Sequence, residues 1–325
     1  MINKVLFSLL IFLQFIFYSC AQENNNNELP PKPPRGYINE SILKIAYAIG
    51  FIDLVDTEPA VPDNIEEHKD IVYKLLDSTS LKLDIYKRKE QKEAAPVLIF
   101  IHGGAWKSGK RSDYLRYLID YAQKGYITAT ISYRLSGVAP FPAAVLDVKC
   151  AVRWIREHAG EFMIKPEKIA VIGGSAGGHL TMMLAYSNEN EFREECADSI
   201  SSKVQAIVNL YGPTDLTTEY ARGHSSVHKF LGTTYQENPQ IYISASPKTY
   251  ISPDDPPTLI FQGTIDSLVP VSQSDSLNIW LNNAGVFNEY HRLKGWPHTM
   301  DVSQKVNEYC QYYMDEFFKK YLRPN

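Results

Sequence analysis

The residues best suited to chemistry cluster in Gly173-Gly174-Ser175-Ala176-Gly177-Gly178. This G-x-S-x-G pattern follows a run at 168–172 that reads as a strand. It opens a run at 176–186 that reads as a helix. A serine on such a turn projects from strained backbone, and flanking glycines remove side chains that would block strand and helix from approaching. The helix N-terminus aims N–H groups at negative charge developing beside the serine. The chemistry served is nucleophilic attack by Ser175. A structural glycine turn and a phosphate cradle are the competing readings. No G-x-x-x-x-G-K-[ST] is present, and the glycine spacing does not match a dinucleotide fingerprint.

A second cluster, His102-Gly103-Gly104-Ala105-Trp106, directly follows the apolar run 97–101. Two consecutive glycines leave their N–H groups unobstructed. Gly103 and Gly104 are candidate donors to an oxyanion, together with the N–H of Ala176. His102 reads as a histidine that orders this loop rather than as a base. Trp106 is either a pocket wall or core packing, and Trp106 and Tyr211 are the candidate substrate contacts.

These clusters need a scaffold, and the chain alternates strand and helix signals from His68 onward. The stretches 71–73 and 81–86 alternate apolar with polar and read as half-exposed antiparallel strands. Continuous apolar or β-branched runs at 97–101, 126–133, 204–210 and 258–261 read as buried strands, with a further strand at 288–293. Helices are expected at 112–123, 142–158, 271–284 and 301–321. The implied fold class is α/β, a mostly parallel central sheet flanked by helices on both faces. Asp147 and Arg153, on the 142–158 helix, read as structural ion-pair formers. The segment 212–256 is too long for a simple connection and reads as a small lid. It mixes Tyr220, Arg222, His224, Phe230 and Tyr235, which suits a polar or mixed substrate. His224 and His228 fall in this segment.

HGGAW, SYRL at 132–135, FPAAVLDVKCAVRWIRE from Phe141 and GGSAGGHL from Gly173 resemble the hormone-sensitive-lipase-like and carboxylesterase group of α/β-hydrolases. The HGGxW form is similar to that of acetylxylan and feruloyl esterases of the BD-FAE type and of kynurenine formamidases. The resemblance covers roughly 68–320. It implies a triad in the chain order serine, acid, histidine. Asp266, in Asp-x-x-Val-Pro after a late strand, takes the acid position. Asp215 is a rival and reads as structural. His298, after the last strand and before the final helix, takes the base position. His291 lies within that strand and His179 on the helix after Ser175, and both read as packing residues.

The resemblance implies a carboxylic ester hydrolase working through an acyl-enzyme, with no metal and no organic cofactor. The expected substrate is a small ester or an esterified carbohydrate carrying acetyl or feruloyl groups. A kynurenine-formamidase-like amidase and a general lipase or esterase are the alternatives. A surface binding module on an inactive hydrolase fold is the alternative from another class. The presence of all three triad residues and both donor elements stands against it.

At the N-terminus, Asn3 and Lys4 precede an apolar run at 5–18, which reads as a signal peptide over 1–19. Ser19-Cys20 at its end resembles a lipoprotein cleavage site, which implies a lipid on Cys20. An ordinary secretory signal and an uncleaved anchor are the other readings. The asparagine run at 24–27 and the prolines at 30–34 cannot build a core. Residues 20–67 are therefore expected as a linker with one short helix within 41–54, and 68–325 as the catalytic domain. The expected location is outside the cytoplasm, with the membrane met only through that lipid.

The 325 residues, 44% hydrophobic and 22% charged, suit a folded globular chain. A net charge of -4 without a basic stripe gives nucleic acid nothing to bind. Of the four cysteines, Cys150 reads as a buried apolar residue, and Cys196 is the candidate partner of Cys310.

Overall fold

A computed structural model of the chain describes residues 29–77, 79–192, 196 and 199–322. The expected signal segment and Cys20 lie outside them. Pro33–Asn325 gathers into one compact unit. Of the other unit, Met1–Lys32, residues 29–32 are described and carry no helix or strand.

Apolar alternation and continuous apolar runs become eight strands. They are β1 (Ile65–Leu76), β2 (Thr79–Arg88), β3 (Ala95–Ile101), β4 (Ile127–Ile131), β5 (Ile164–Gly174), β6 (Ala206–Leu210), β7 (Thr258–Gly263) and β8 (Asn288–Leu293). They form one sheet in the order β1-β2-β4-β3-β5-β6-β7-β8. The β1–β2 and β2–β4 pairs are antiparallel, and every other pair is parallel. The boundary expected at His68 falls inside β1.

Besides a single turn at Ala159–Phe162, the helices are α1 (Glu40–Ala48), α2 (Leu115–Gln123), α3 (Ala143–Glu157), α4 (Ala176–Tyr186), three short ones, α5 (Glu219–Arg222), α6 (Ser225–Leu231) and α7 (Pro239–Ser244), then α8 (Ser272–Ala284) and α9 (Gln304–Tyr321). Strand pleating divides the core. Val97, Ile99 and Ile101 of β3 join α3, α4 and α8 on one face, while Leu98 and Phe100 join α2 and α9 on the other. This two-sided cover explains why β3 is apolar at every position. Asp147, fully buried on α3, is held by Lys74 Nζ at 2.8 Å and Arg134 Nη2 at 2.7 Å. It ties α3 to β1 and to the loop after β4, the structural pairing its sequence position suggests. Arg153 donates to the carbonyl of Ile200 at 3.1 Å.

The cysteine expectation is corrected. Cys150 is joined to Cys196 by a disulfide, and Cys310 is free and buried. The sheet is the reason. Cys150 and Cys196 belong to the α3 face, whereas Cys310 is enclosed on the α9 face.

Register brings the site together. Ile101 pairs with Gly173, Gly174 with Leu210, Leu210 with Phe261 and Gly263 with Leu293. The C-terminal ends of β3, β5, β7 and β8 therefore lie along one edge, and the loops leaving them carry Gly103, Ser175, Asp266 and His298. Open α/β sheets place their sites at this edge.

Candidate active site

Ser175 sits at φ 55° and ψ -121°, in the left-handed half of backbone space that a non-glycine residue occupies only when its surroundings enforce it. Its N–H donates to Leu210 O at 2.8 Å. A Cβ on Gly177 would overlap the carbonyl of Ile101, so only glycine lets α4 come this close to β3. The turn predicted from G-x-S-x-G is thus built between two parallel strands and the helix that covers them.

His298 bridges the serine and an acid. Its Nδ1 lies 2.7 Å from Asp266 Oδ2 and its Nε2 lies 2.9 Å from Ser175 Oγ. With the proton on Nδ1, Asp266 accepts it and Nε2 is free to accept from the serine hydroxyl. Asp266 is itself pinned. The N–H groups of Leu268 and Val269 donate to its Oδ1 at 2.9 and 2.8 Å, and Gln262 Nε2 donates to its Oδ2 at 2.9 Å. Ser274 Oγ in turn donates to Gln262 Oε1 at 2.9 Å. Asp215 is engaged elsewhere, paired with Lys248 and accepting from Thr217.

The loop after β3 lies against the elbow, since a Cβ on Gly103 would sit 3.5 Å from Cβ of Ser175. Gly104 has φ +101°, which side chains rarely tolerate. Among the described residues, the N–H groups of Gly103, Gly104 and Ala176 have no backbone acceptor. His102 orders the loop, as its position suggests. Its ring stacks on Tyr133 at 4.4 Å between centroids, and Tyr133 Oη donates to its carbonyl at 3.0 Å. Burial holds its imidazole below the ordinary histidine range.

Trp106 is corrected as a substrate contact. It is a core residue, stacked on Phe230 with centroids 4.5 Å apart, and its Nε1 donates to His179 Nδ1 at 3.2 Å. A buried indole N–H needs an acceptor, and His179 supplies it. His179 also meets Ala245 O at 2.7 Å through Nε2, and burial lowers its pKa to about 4. His291 is structural too, between Tyr309 and Glu289.

Ser175 and His298 open into a cavity of about 460 Å³. None of the residues lining it comes from 212–256. That segment packs beside the β3 loop, through Phe230 on Trp106 and Ala245 on His179. Tyr211 does line the cavity. Its ring stands edge-on to His298 at 4.7 Å, and its hydroxyl donates to Asp301 Oδ1 at 2.6 Å. Burial pushes the Asp301 carboxyl up, against the pull of the phenols of Tyr211 and Tyr117 that donate to it.

Among the residues of the site that escaped sequence reading are Gln262, Asp301, Val55 and Thr57, besides polar residues of the cavity wall such as Ser108 and Asn307. Gln262 left a faint signal, a polar side chain inside the buried run of β7. Asp301 left none. Val55 and Thr57 reach the cavity because residues expected as linker wrap across the loops of the site. Tyr37 N–H donates to Gly295 O at 2.8 Å, Val55 N–H to Val302 O at 2.9 Å, and Gln304 N–H to Asp53 O at 2.8 Å.

No group of three or more His, Cys, Asp or Glu among the described residues is placed to hold a metal ion. A family model described as BD-FAE matches residues 83–281. The esterase LipQ of Mycobacterium tuberculosis is 33% identical over 233 residues, 69% of this chain and 55% of LipQ. The chain spans about half the length of the curated relatives it matches. A truncated carbohydrate esterase from gut microbiota superposes with a TM-score of 0.68 at 26% identity, over 81% of this chain and 98% of that one. A thermophilic esterase of Thermogutta terrifontis, solved with propionate bound, gives 0.69 at 29% identity, over 82% and 98%. The elbow, the loop after β3 and Asp266 all fall inside the matched span, and the chain belongs to the BD-FAE family on the α/β-hydrolase fold.

Proposed function

We propose that the chain is a serine carboxylic-ester hydrolase. The observation that carries this is the unbroken hydrogen-bonded line from Asp266 through His298 to Ser175, at the floor of an open cavity. In this reading His298 takes the proton of Ser175 as Oγ attacks the ester carbonyl. The N–H groups of Gly103, Gly104 and Ala176 receive the oxyanion, and Asp266 holds the imidazole in its working tautomer. The protonated His298 then passes its proton to the leaving alcohol. Water activated by the same ring releases the acid. The similarity to proteins named as esterases supports the reaction class.

For the substrate, the proposal is a short acyl or feruloyl ester of a carbohydrate. The cavity wall is mainly apolar, and Ser108, Asp113, Arg116 and Asn307 are among the polar residues on it that a hydroxylated alcohol would meet. The likeness to a carbohydrate esterase, and to an esterase solved with propionate, favours the same choice. The proposed location is outside the cytoplasm, on a lipid carried by Cys20. The Cys150–Cys196 disulfide supports an oxidising compartment.

A fluorophosphonate probe tests the reaction. It should label Ser175 in folded protein, and an unlabelled wild type would rule out an activated serine. A panel of acetyl, feruloyl and long-chain esters, on sugar and on simple alcohols, tests the substrate. Preference for long acyl chains on simple alcohols would overturn the carbohydrate reading. Failure of the Cys20→Ala variant to leave the membrane fraction would overturn the lipid tether.

A further inference from the structure

Helix α1 turns apolar residues outward. Leu43 packs against the domain and Ala46 is buried, yet Ile42, Ile45 and Ile49 are 44%, 57% and 62% exposed. Ile38, ahead of the helix, is 88% exposed and extends the series. The spacing 42, 45, 49 sets three of them along one face of the helix, with Ile38 standing before its cap. Soluble surfaces seldom leave such a stripe unoccupied.

The helix is firmly held. Asn39 caps it, accepting from the N–H of Ile42 at 3.0 Å. Ser267 Oγ, beside Asp266, donates to Glu40 Oε1 at 2.6 Å. Beyond its far end, Val55 is bonded to Val302. Leu268 and Val302 line the cavity and are themselves exposed, so apolar surface continues to its mouth.

The sequence indicates the occupant. Fully extended, the chain from Cys20 to Ile38 reaches at most roughly 60 Å, so a lipid on Cys20 would confine the stripe to within that distance of a bilayer. Lys32, Arg35 and Lys44 are offset by Glu28 and Glu40 and by Asp53, Asp56 and Glu58 just beyond, so the apolar stripe and the length of the tether, not charge, indicate the bilayer. A second copy is a poorer match. The stripe offers roughly a few hundred Å², below the about 800 Å² per partner of a standard interface. A tethered domain needs less area, because the anchor already supplies a high local concentration.

We infer that α1 docks on the bilayer that holds the Cys20 lipid, with Ile42, Ile45 and Ile49 at the headgroup–acyl boundary and the cavity mouth beside them. The inference rests on the tether proposed above. It is tested on the full chain in vesicles of phosphatidylethanolamine and phosphatidylglycerol, with a solvatochromic fluorophore attached at Ile45→Cys. A control carries the fluorophore at Glu167→Cys, on β5 at the end of the strand away from Ser175. Expected are a blue shift and quenching by nitroxide on the lipid chains at position 45, and neither at 167. A probe at 45 that stays water-like on vesicle-bound chain overturns the docking. So does one that shifts blue without lipid quenching, which would mean a protein surface covers the stripe. If the chain does not bind vesicles at all, the tether and the docking fall together. Hydrolysis of a soluble aryl ester in the same sample reports separately on Ser175.

Discussion

Gln262 Nε2 donates to the same carboxylate oxygen of Asp266 that faces His298 Nδ1, at 2.9 and 2.7 Å. Gln262 thus fixes the carboxylate that orients the imidazole, without reaching Ser175. Gln262→Leu removes this donor and leaves Ser274 Oγ without its acceptor. Steady-state kinetics should show kcat lower by about tenfold with KM nearly unchanged. A rise in KM at constant kcat would point to a role in substrate binding instead.

The three residues of the hydrogen-bonded line should act as a unit. Ser175→Ala and His298→Ala each lower turnover of small aryl esters by on the order of ten-thousand-fold. The double variant should be little worse than either single one. Additive losses would mean the two residues serve different steps.

Val55 lines the cavity, as does Val302, to whose carbonyl its N–H is bonded. In the proposed mechanism the leaving oxygen lies within reach of His298, and Val55 is assigned to the alcohol side. Val55→Trp should lower kcat/KM for esters of bulky alcohols by about tenfold and spare methyl esters. Dependence on acyl length instead would place the acyl group against this wall.

The Cys150–Cys196 disulfide closes a loop with a sequence separation of 46. Chain entropy then gives an upper figure of about 4 kcal/mol. The double variant Cys150→Ala, Cys196→Ala should lose roughly 2–4 kcal/mol in urea unfolding without reductant. Cys310→Ala should keep the disulfide, seen as an unchanged mobility difference between non-reducing and reducing gels.

Burial lowers His179 to about 4, against an ordinary value of 6.5. Between those values the unfolded chain binds more protons than the folded one. Stability from this group is therefore present above about pH 6.5 and lost as pH falls towards 4. The loss should be on the order of 2 kcal/mol. Unfolding midpoints of wild type and His179→Gln, compared at pH 7 and pH 4.5, should converge in acid. An equal decline in both would assign the acid lability to other groups.

Much of the fold was legible in the sequence, because strand and helix patterns are local. The unbroken apolar β3 and the alternating β2 carry their burial in their own residues. Gly173 to Gly178 and His102 to Trp106 were legible for the same reason, since a turn and the glycines that permit it are contiguous. Ser175, Asp266 and His298, singled out by motif and chain order, are the residues that the sheet edge brings within hydrogen-bond distance. Tertiary structure alone decided which distant groups meet. The sheet separates Cys310 from Cys196 and leaves Cys150 beside it. The indole of Trp106 turns inward, where His179 Nδ1 accepts a hydrogen bond from its N–H. Val55, on a stretch that reads as linker, becomes a wall of the cavity because backbone bonds to Val302 hold it there. Sequence records what each segment can form, while partners across the fold depend on register and on which face of the sheet each side chain takes.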